Sequence, residues 1–342
     1  MGVHVLRVWI NDCGLDSNMA YAGRGLQTWP GPEAHESPES GGSKRGYNRA
    51  LPEIGMSPLL RTITANPIGR AFYRPVKALL DLARQLQNPG VPPDHEILRV
   101  AYRDRKFAIE VRRWSASDRM AVDQCFSQEQ YDMPSGPHGV MTGLIYREIV
   151  AMGKKPLIVD SGANIGASVL WFHAHYPEAH IVAVEPAPDN FALLRVNCRG
   201  LDVDLRQAGI GPVDCSAWLS DPDLGGMGYR TNHRKEGLEI GMLSLETLLR
   251  SKPASDYTPF LLKVDIEGAE KSLFTLPVSL LDQFPIIIME PHDWMFPGQQ
   301  TSVEFFRFHA HAGREFLMKH ENVASIKNHP GLIELTKADA GD

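Results

Sequence analysis

Carboxylates and glycines gather at four points in this chain, each at the end of a short apolar run. In VDSGANIG, Asp160 closes such a run, and Gly162 and Gly166 follow four apart with Ala163 and Asn164 between them. Glycine accepts left-handed backbone and has no Cβ, so Gly162 reads as letting the turn pass close under a bound group and Gly166 as letting the helix start pack against the strand. The amides of the helix start that follows would attract its charge. In IVAVEP, Glu185 lies 25 residues after Asp160, where an acid accepts hydrogen bonds from the two hydroxyls of a ribose. Nicotinamide enzymes carry Gly-x-Gly-x-x-Gly at such a loop; only two glycines are present, so a pyrophosphate is not expected. The ligand predicted here carries a ribose and a small charged group.

The other two points hold acid–base chemistry. LLKVDIEGAE places Asp265 and Glu267 at a strand terminus, where a carboxylate can remove the proton of an attacking hydroxyl or clamp a substrate. Lys263, inside the strand, reads as a partner for one of them, and Glu270 as an acid at a helix start interacting with its dipole. IIIMEPHDW adds Glu290, His292 and Asp293. His292 is the best base candidate of these, because imidazole titrates near neutrality, although a lone loop histidine is more often simply hydrogen-bonded. Asp265, Glu267, Glu290 and His292 have the donor types for Mg2+ or Mn2+, but nothing in their spacing requires a metal, and none is assigned. His138 and Trp294 are candidates to line the pocket, Trp171 is expected in the core, and GGMGYR (225–230) reads as a covering loop or a long connection.

Strands and helices in strict alternation must position these groups. Apolar runs predict strands at 156–160, 180–184, 203–209, 260–265 and 285–290, with helices near 165–176, 188–199, 268–276 and 301–312. Short, wholly apolar strands between amphipathic helices mean a parallel sheet covered on both faces. REFLMKH, NVASIK and GLIELTK read as two or three closing strands at an antiparallel edge. Upstream, ILRVAYRDRKFAIEVRR (97–113) has the alternation of a β-hairpin turning at Arg103 to Arg105. Val140, Leu144, Ile145, Ile149 and Met152 form one helical face, and a basic amphipathic helix is expected over 72–86. Ten of the seventeen residues from Pro30 to Gly46 are Gly, Pro or Ser, so residues 1–55 are expected to be disordered or a mis-assigned start, with Met56 as the true beginning. This divides the chain into 1–55, an extension over 56–124 and a main domain over 125–337.

Composition excludes several classes. The 342 residues, 43% of them hydrophobic, can fill a large core, and a net charge of −6 gives no overall pull toward nucleic acid. Four scattered cysteines form no zinc or disulfide pattern, so a reducing cytoplasm is the default. No stretch approaches the roughly 20 apolar residues of a membrane span.

Together the motifs resemble the FkbM-type S-adenosylmethionine-dependent methyltransferases. DSGANIG (160–166), AVEP (183–186), SLETLL (244–249) and KVDIEGAE (263–270) follow that family's motifs in order, and Tyr131 and Asp132 match its preceding Tyr-Asp pair. The resemblance covers roughly residues 125–312, with one departure, Glu246 where the family usually has Asp. It implies a Rossmann-like class I methyltransferase fold of the α/β class: a mostly parallel seven-stranded sheet with helices on both faces, its last strand antiparallel, plus an N-terminal helix and hairpin extension. S-adenosyl-L-methionine would lie across Asp160, Gly162, Ala163, Asn164 and Gly166, with its ribose on Glu185 and Pro186 alongside. Asp160 would either cap the loop or touch the donor's amino group. The implied reaction is O-methylation of a sugar, lipid or secondary-metabolite hydroxyl, with Asp265, Glu267 and His292 as catalytic candidates. A binding module without turnover and a nicotinamide oxidoreductase are the alternatives.

Overall fold

The computed structural model describes residues 88, 90–133, 136–220, 230–232 and 237–328. The expectations for residues 1–55, the helix at 72–86, most of the 225–230 loop and the strand at GLIELTK lie outside these residues.

Strand β1 (His95–Tyr102) pairs antiparallel with β2 (Arg105–Arg112), and the turn between them puts Arg103 at φ 53°. Two helices follow, α1 (Ala116–Phe126), capped by the Ser115 hydroxyl, and α2 (Pro137–Ala151). The alternation then begins: β3 (Lys155–Ser161), α3 (Ala167–His175), β4 (His180–Val184), α4 (Pro188–Asn197) and β5 (Val203–Arg206). After an excursion come β10 (Tyr257–Val264), α6 (Glu270–Leu273), α7 (Val278–Leu281), β11 (Ile286–Met289) and α8 (Val303–His311). The hairpin β12 (Glu315–Lys319) and β13 (Asn322–Ile326) closes the described chain.

These strands form one seven-stranded sheet in the order β12-β13-β11-β10-β3-β4-β5. The pairs from β11 to β5 are parallel, while β13 runs antiparallel to both β11 and β12. The order reverses at β3, so the carboxyl ends of β3 and β10 flank a switch point where ligands bind in open α/β sheets. Period-2 alternation divides the apolar side chains between two layers. Ile158, Ile181, Leu261 and Ile288 meet α3, α4, the β1–β2 hairpin and α1 on one face. Leu157, Val159, Leu262 and Met289 meet Leu245, Leu248, α6 and α8 on the other.

Three expectations are corrected. The strand foreseen over 203–209 ends as β5 at Arg206, and β6 (Gly209–Gly211) leaves for a second sheet of order β6-β9-β7-β8. That sheet is built from β7 (Cys215–Ser220), β8 (Arg230–Asn232) and β9 (Leu238–Ser244), after which α5 (Leu245–Arg250) returns the chain to the main sheet. The helix foreseen over 268–276 is the four-residue α6, with α7 after Pro277. In α2 the buried face is Met141, Thr142 and Ile149, while Val140, Leu144 and Met152 are exposed.

Candidate active site

Asp160 and Lys263 are cross-strand partners at the ends of β3 and β10. Both are buried, and Lys263 Nζ lies 3.2 Å from Asp160 and 3.3 Å from Asp265 while donating to the Gly162 carbonyl at 2.7 Å. Burial pushes the ammonium down, but the carboxylates of Asp160 and Asp265 outweigh it and hold the group well above the usual lysine value. The Ser168 hydroxyl donates to Asp160 at 2.6 Å, and the ring of Tyr131 lies 5.8 Å from Lys263 Nζ. The sequence gives Lys263 one carboxylate partner; the structure gives it two.

The loop after β3 is held by its own backbone. Gly162 and Gly166 sit at φ 84° and 91°, and Asn164, a residue that tolerates the left-handed region, at 49°. A Cβ on Gly162 would lie 1.8 Å from the Asp265 carbonyl oxygen, so this glycine permits close approach of β10, where sequence reasoning had it clear space for a ligand. Gly166 admits Leu194 and Cys198 of the α4 region at 2.9 and 3.2 Å, so helix α3 packs there on a helix and not on the strand. The amides of Gly162 and Ala163 donate to the Val184 carbonyl, Asn164 N to Glu185 at 2.9 Å, and Gly166 N to the Ala163 carbonyl. With these four amides engaged, the loop does not offer the row of free donors that a pyrophosphate needs.

Glu185 is 4% exposed and accepts from Asn164 N, from Ala187 N at 2.9 Å and more weakly from Asn190. Burial pushes its carboxyl up to about 7 against those hydrogen bonds. Among the described residues one donor, Asn164 N, reaches Oε2, which therefore keeps acceptor capacity. Buried Ser161 Oγ and Asn164 Oδ1 have no hydrogen-bond partner among the described residues. Together these orphans and the open Glu185 lone pair fit a ligand rich in N–H and O–H donors, such as a nucleoside with an amino-acid tail. Ala163 is buried beside them and Pro186 half-buried.

Beyond the loop, β10, β11 and α6 converge on His292, which is 2% exposed. Its Nδ1 is 2.7 Å from buried Glu270, and its Nε2 faces Asp265 at 3.6 Å, Glu290 at 3.6 Å and Glu267 at 3.8 Å. Burial pushes the imidazole down, but the Glu270 hydrogen bond and the surrounding carboxylates raise it to about 10. That shift takes the imidazole away from the near-neutral titration for which it was chosen as the base. Burial and then Asp265 push Glu290 up to about 8. Glu270 is more than the dipole partner foreseen: besides fixing His292 it accepts from the amides of Ile266 and Gly268. No local pattern announced that bond, which joins residues 22 apart.

Other candidates fall elsewhere. Asp293 accepts from Ser302 N before α8, His138 lies 3.9 Å from Glu315 of β12, and Glu246 pairs with Arg250 on exposed α5. Trp171 is in the core as expected, Asp132 pairs with His175 at 3.2 Å, and Trp294 is 75% exposed beside the cluster. Ser168 was missed, its only signal being its place in the first turn after the glycine loop.

A reversed-order parallel sheet with one antiparallel strand near its edge, a glycine loop after the central strand and an acid after the next is the Rossmann-like class I methyltransferase fold. Residues 160–322 match the model of the methyltransferase FkbM domain family. Two curated relatives are "Methyltransferase 1" of Beauveria bassiana, 34% identical over 136 residues, and "Methyltransferase sdnD" of Sordaria araneosa, 30% identical over 160. The matches take in 33% and 36% of this chain and span 55% and 61% of those proteins. Among solved structures, methyltransferase FkbM from Methylobacillus flagellatus KT is 14% identical with a TM-score of 0.36, over 50% of this chain and 43% of that one.

Proposed function

We propose that the protein is an S-adenosylmethionine-dependent methyltransferase that transfers a methyl group to a hydroxyl of a small molecule: a sugar, lipid or secondary metabolite, not a nucleic acid. The observation that carries this reading is the contact between the two halves of the site. The loop that would hold the donor touches the Asp265 backbone, and Lys263 joins the Asp160 and Asp265 carboxylates. The candidate base Asp265, just past the end of β10, would thereby be held next to the donor loop. The family match and the two fungal proteins named as methyltransferases support the same class of reaction.

The bound donor supplies an electrophilic methyl on a positively charged sulfur. Glu185 would hold the ribose through Oε2, and Ser161 and Asn164 would accept from donors on the ligand. Asp265 and Glu267, each partly exposed at the mouth, would orient the acceptor hydroxyl and take its proton as the new C–O bond forms and the S–C bond breaks. His292 would serve by fixing these carboxylates instead of acting as base. Much of the barrier would be met by alignment, since the leaving group is already activated.

Methyl-labelled donor incubated with a panel of hydroxylated sugars, phenols and hydroxy lipids tests the reading. We expect label on at least one acceptor, and a loss of roughly 100-fold or more with Asp265→Asn. Label appearing only on amine acceptors would overturn O-methylation.

A further inference from the structure

Residues at the carboxyl ends of β10 and β11 converge in a way that hydroxyl deprotonation alone does not require. Asp265, Glu267 and His292 each bring one donor atom to a common point, all within 4.8 Å of one another. We propose that these three side chains bind one divalent cation, Mn2+ or Mg2+, with Glu290 at its edge and Glu270 holding the imidazole in register.

The imidazole carries the argument. Its Nδ1 lies 2.7 Å from Glu270, whose carboxylate accepts, so the ring hydrogen belongs on Nδ1 and the Nε2 lone pair points into the cluster. A carboxylate bound to the far nitrogen of a metal-ligating histidine is the usual orienting arrangement. The ring is 2% exposed, and Nδ1 alone makes a hydrogen bond among the described residues. The three oxygens facing Nε2 stand at 3.6, 3.6 and 3.8 Å. A proton on Nε2 would draw one of them to hydrogen-bond distance, about 2.8 Å. Neighbouring ligands of a six-coordinate ion lie ~3 Å apart and opposite ones a little over ~4 Å, a range that contains the observed spacings.

Charge gives a second line. Five carboxylates, on Asp160, Asp265, Glu267, Glu270 and Glu290, gather around Lys263 and His292. Crowded, partly buried negative charge is unfavourable, and a divalent ion would offset it. One imidazole among carboxylates suits Mn2+ best, with Mg2+ as the hard alternative. Asp265 and Glu267 are also the most exposed of the cluster, so the ion would have positions open to an acceptor. Its role, which rests on the methyltransferase reading, is to bind the acceptor through one or two oxygens and ease loss of the hydroxyl proton.

Calorimetric titration of MnCl2, and separately MgCl2, into the full chain without nucleotide tests the site, with the donor titrated into the same preparations. We expect one saturable Mn2+ site per chain, weakened at least about tenfold by Glu267→Gln, by Asp265→Asn and by His292→Gln. Glu267 is partly exposed, and its variant, checked by circular dichroism, retains the fold even if His292→Gln does not. Absence of saturable binding of either ion, or binding unchanged in both carboxylate variants, overturns the proposal. Donor binding without metal binding would reject the metal site alone. Metal binding without donor binding would keep it and reject the methyltransferase reading.

Discussion

Lys263 shows how much one residue can commit. Its ammonium is almost wholly removed from water and neutralised by Asp160 and Asp265. Removing one member of such a buried set leaves an uncompensated charge, so Lys263→Met should destabilise the protein by about 3–5 kcal/mol in urea unfolding. Adding Asp160→Asn to that variant should recover much of the loss, because the pair is then replaced and no longer broken. Glu185 gives a pH prediction. Its folded value of about 7 lies above its ordinary 4.5, so the fold favours the protonated form, and its contribution to stability declines as pH rises from 4.5 toward 7. Ribose hydroxyls prefer the ionised acceptor, so donor affinity should instead rise with pH, by up to about tenfold per unit below 7, and level off above it. Titration at pH 6, 7 and 8 checks the sign. His292 was legible in sequence as a candidate but its surroundings were not: Glu270, Asp265 and Glu290 are brought to it by long-range packing alone.

Among the elements, strands β3, β4, β10 and β11 could be read directly, because IVAV, LLKV and IIIM are apolar on both faces, as a covered parallel strand must be. The second sheet could not. Gly209, Gly211 and Gly241 weaken the strand signal of β6 and β9, and β7 reads simply as a mixed segment. The β3 loop was legible as glycines in a turn, while the reason for them was not: the Asp265 carbonyl that Gly162 admits is 103 residues away (265 − 162). This yields a contrast. Gly153 and Gly162 both have positive φ, 75° and 84°, but a Cβ on Gly153 meets nothing within 4 Å. Gly153→Ala should cost about 1–2 kcal/mol from backbone strain alone. Gly162→Ala adds a collision with backbone and should cost well over ~2 kcal/mol and weaken donor binding; equal losses in thermal unfolding would contradict the packing argument.

Across the whole molecule, the β1–β2 hairpin belongs to the same core as the main sheet. Ile109 and Val111 are fully buried in a cluster with Trp171, Phe172 and Ile288. Ile109→Ala should therefore destabilise the protein by about 2–5 kcal/mol. A chain beginning after residue 113 should lose cooperative unfolding, and sharp unfolding of that fragment would show the hairpin to be dispensable. Among the described residues no helix is long and apolar enough to cross a membrane. The parallel sheet and its antiparallel edge were legible through strand alternation and resemblance to a family, whereas the strand order and the acceptor-side geometry depend on which strand ends meet, information that no local window holds. Titration of S-adenosylmethionine and S-adenosylhomocysteine into the full chain and its Glu185→Ala variant should give micromolar binding that weakens by roughly 1.5–3 kcal/mol in the variant. Failure of the intact protein to bind either compound would contradict the account.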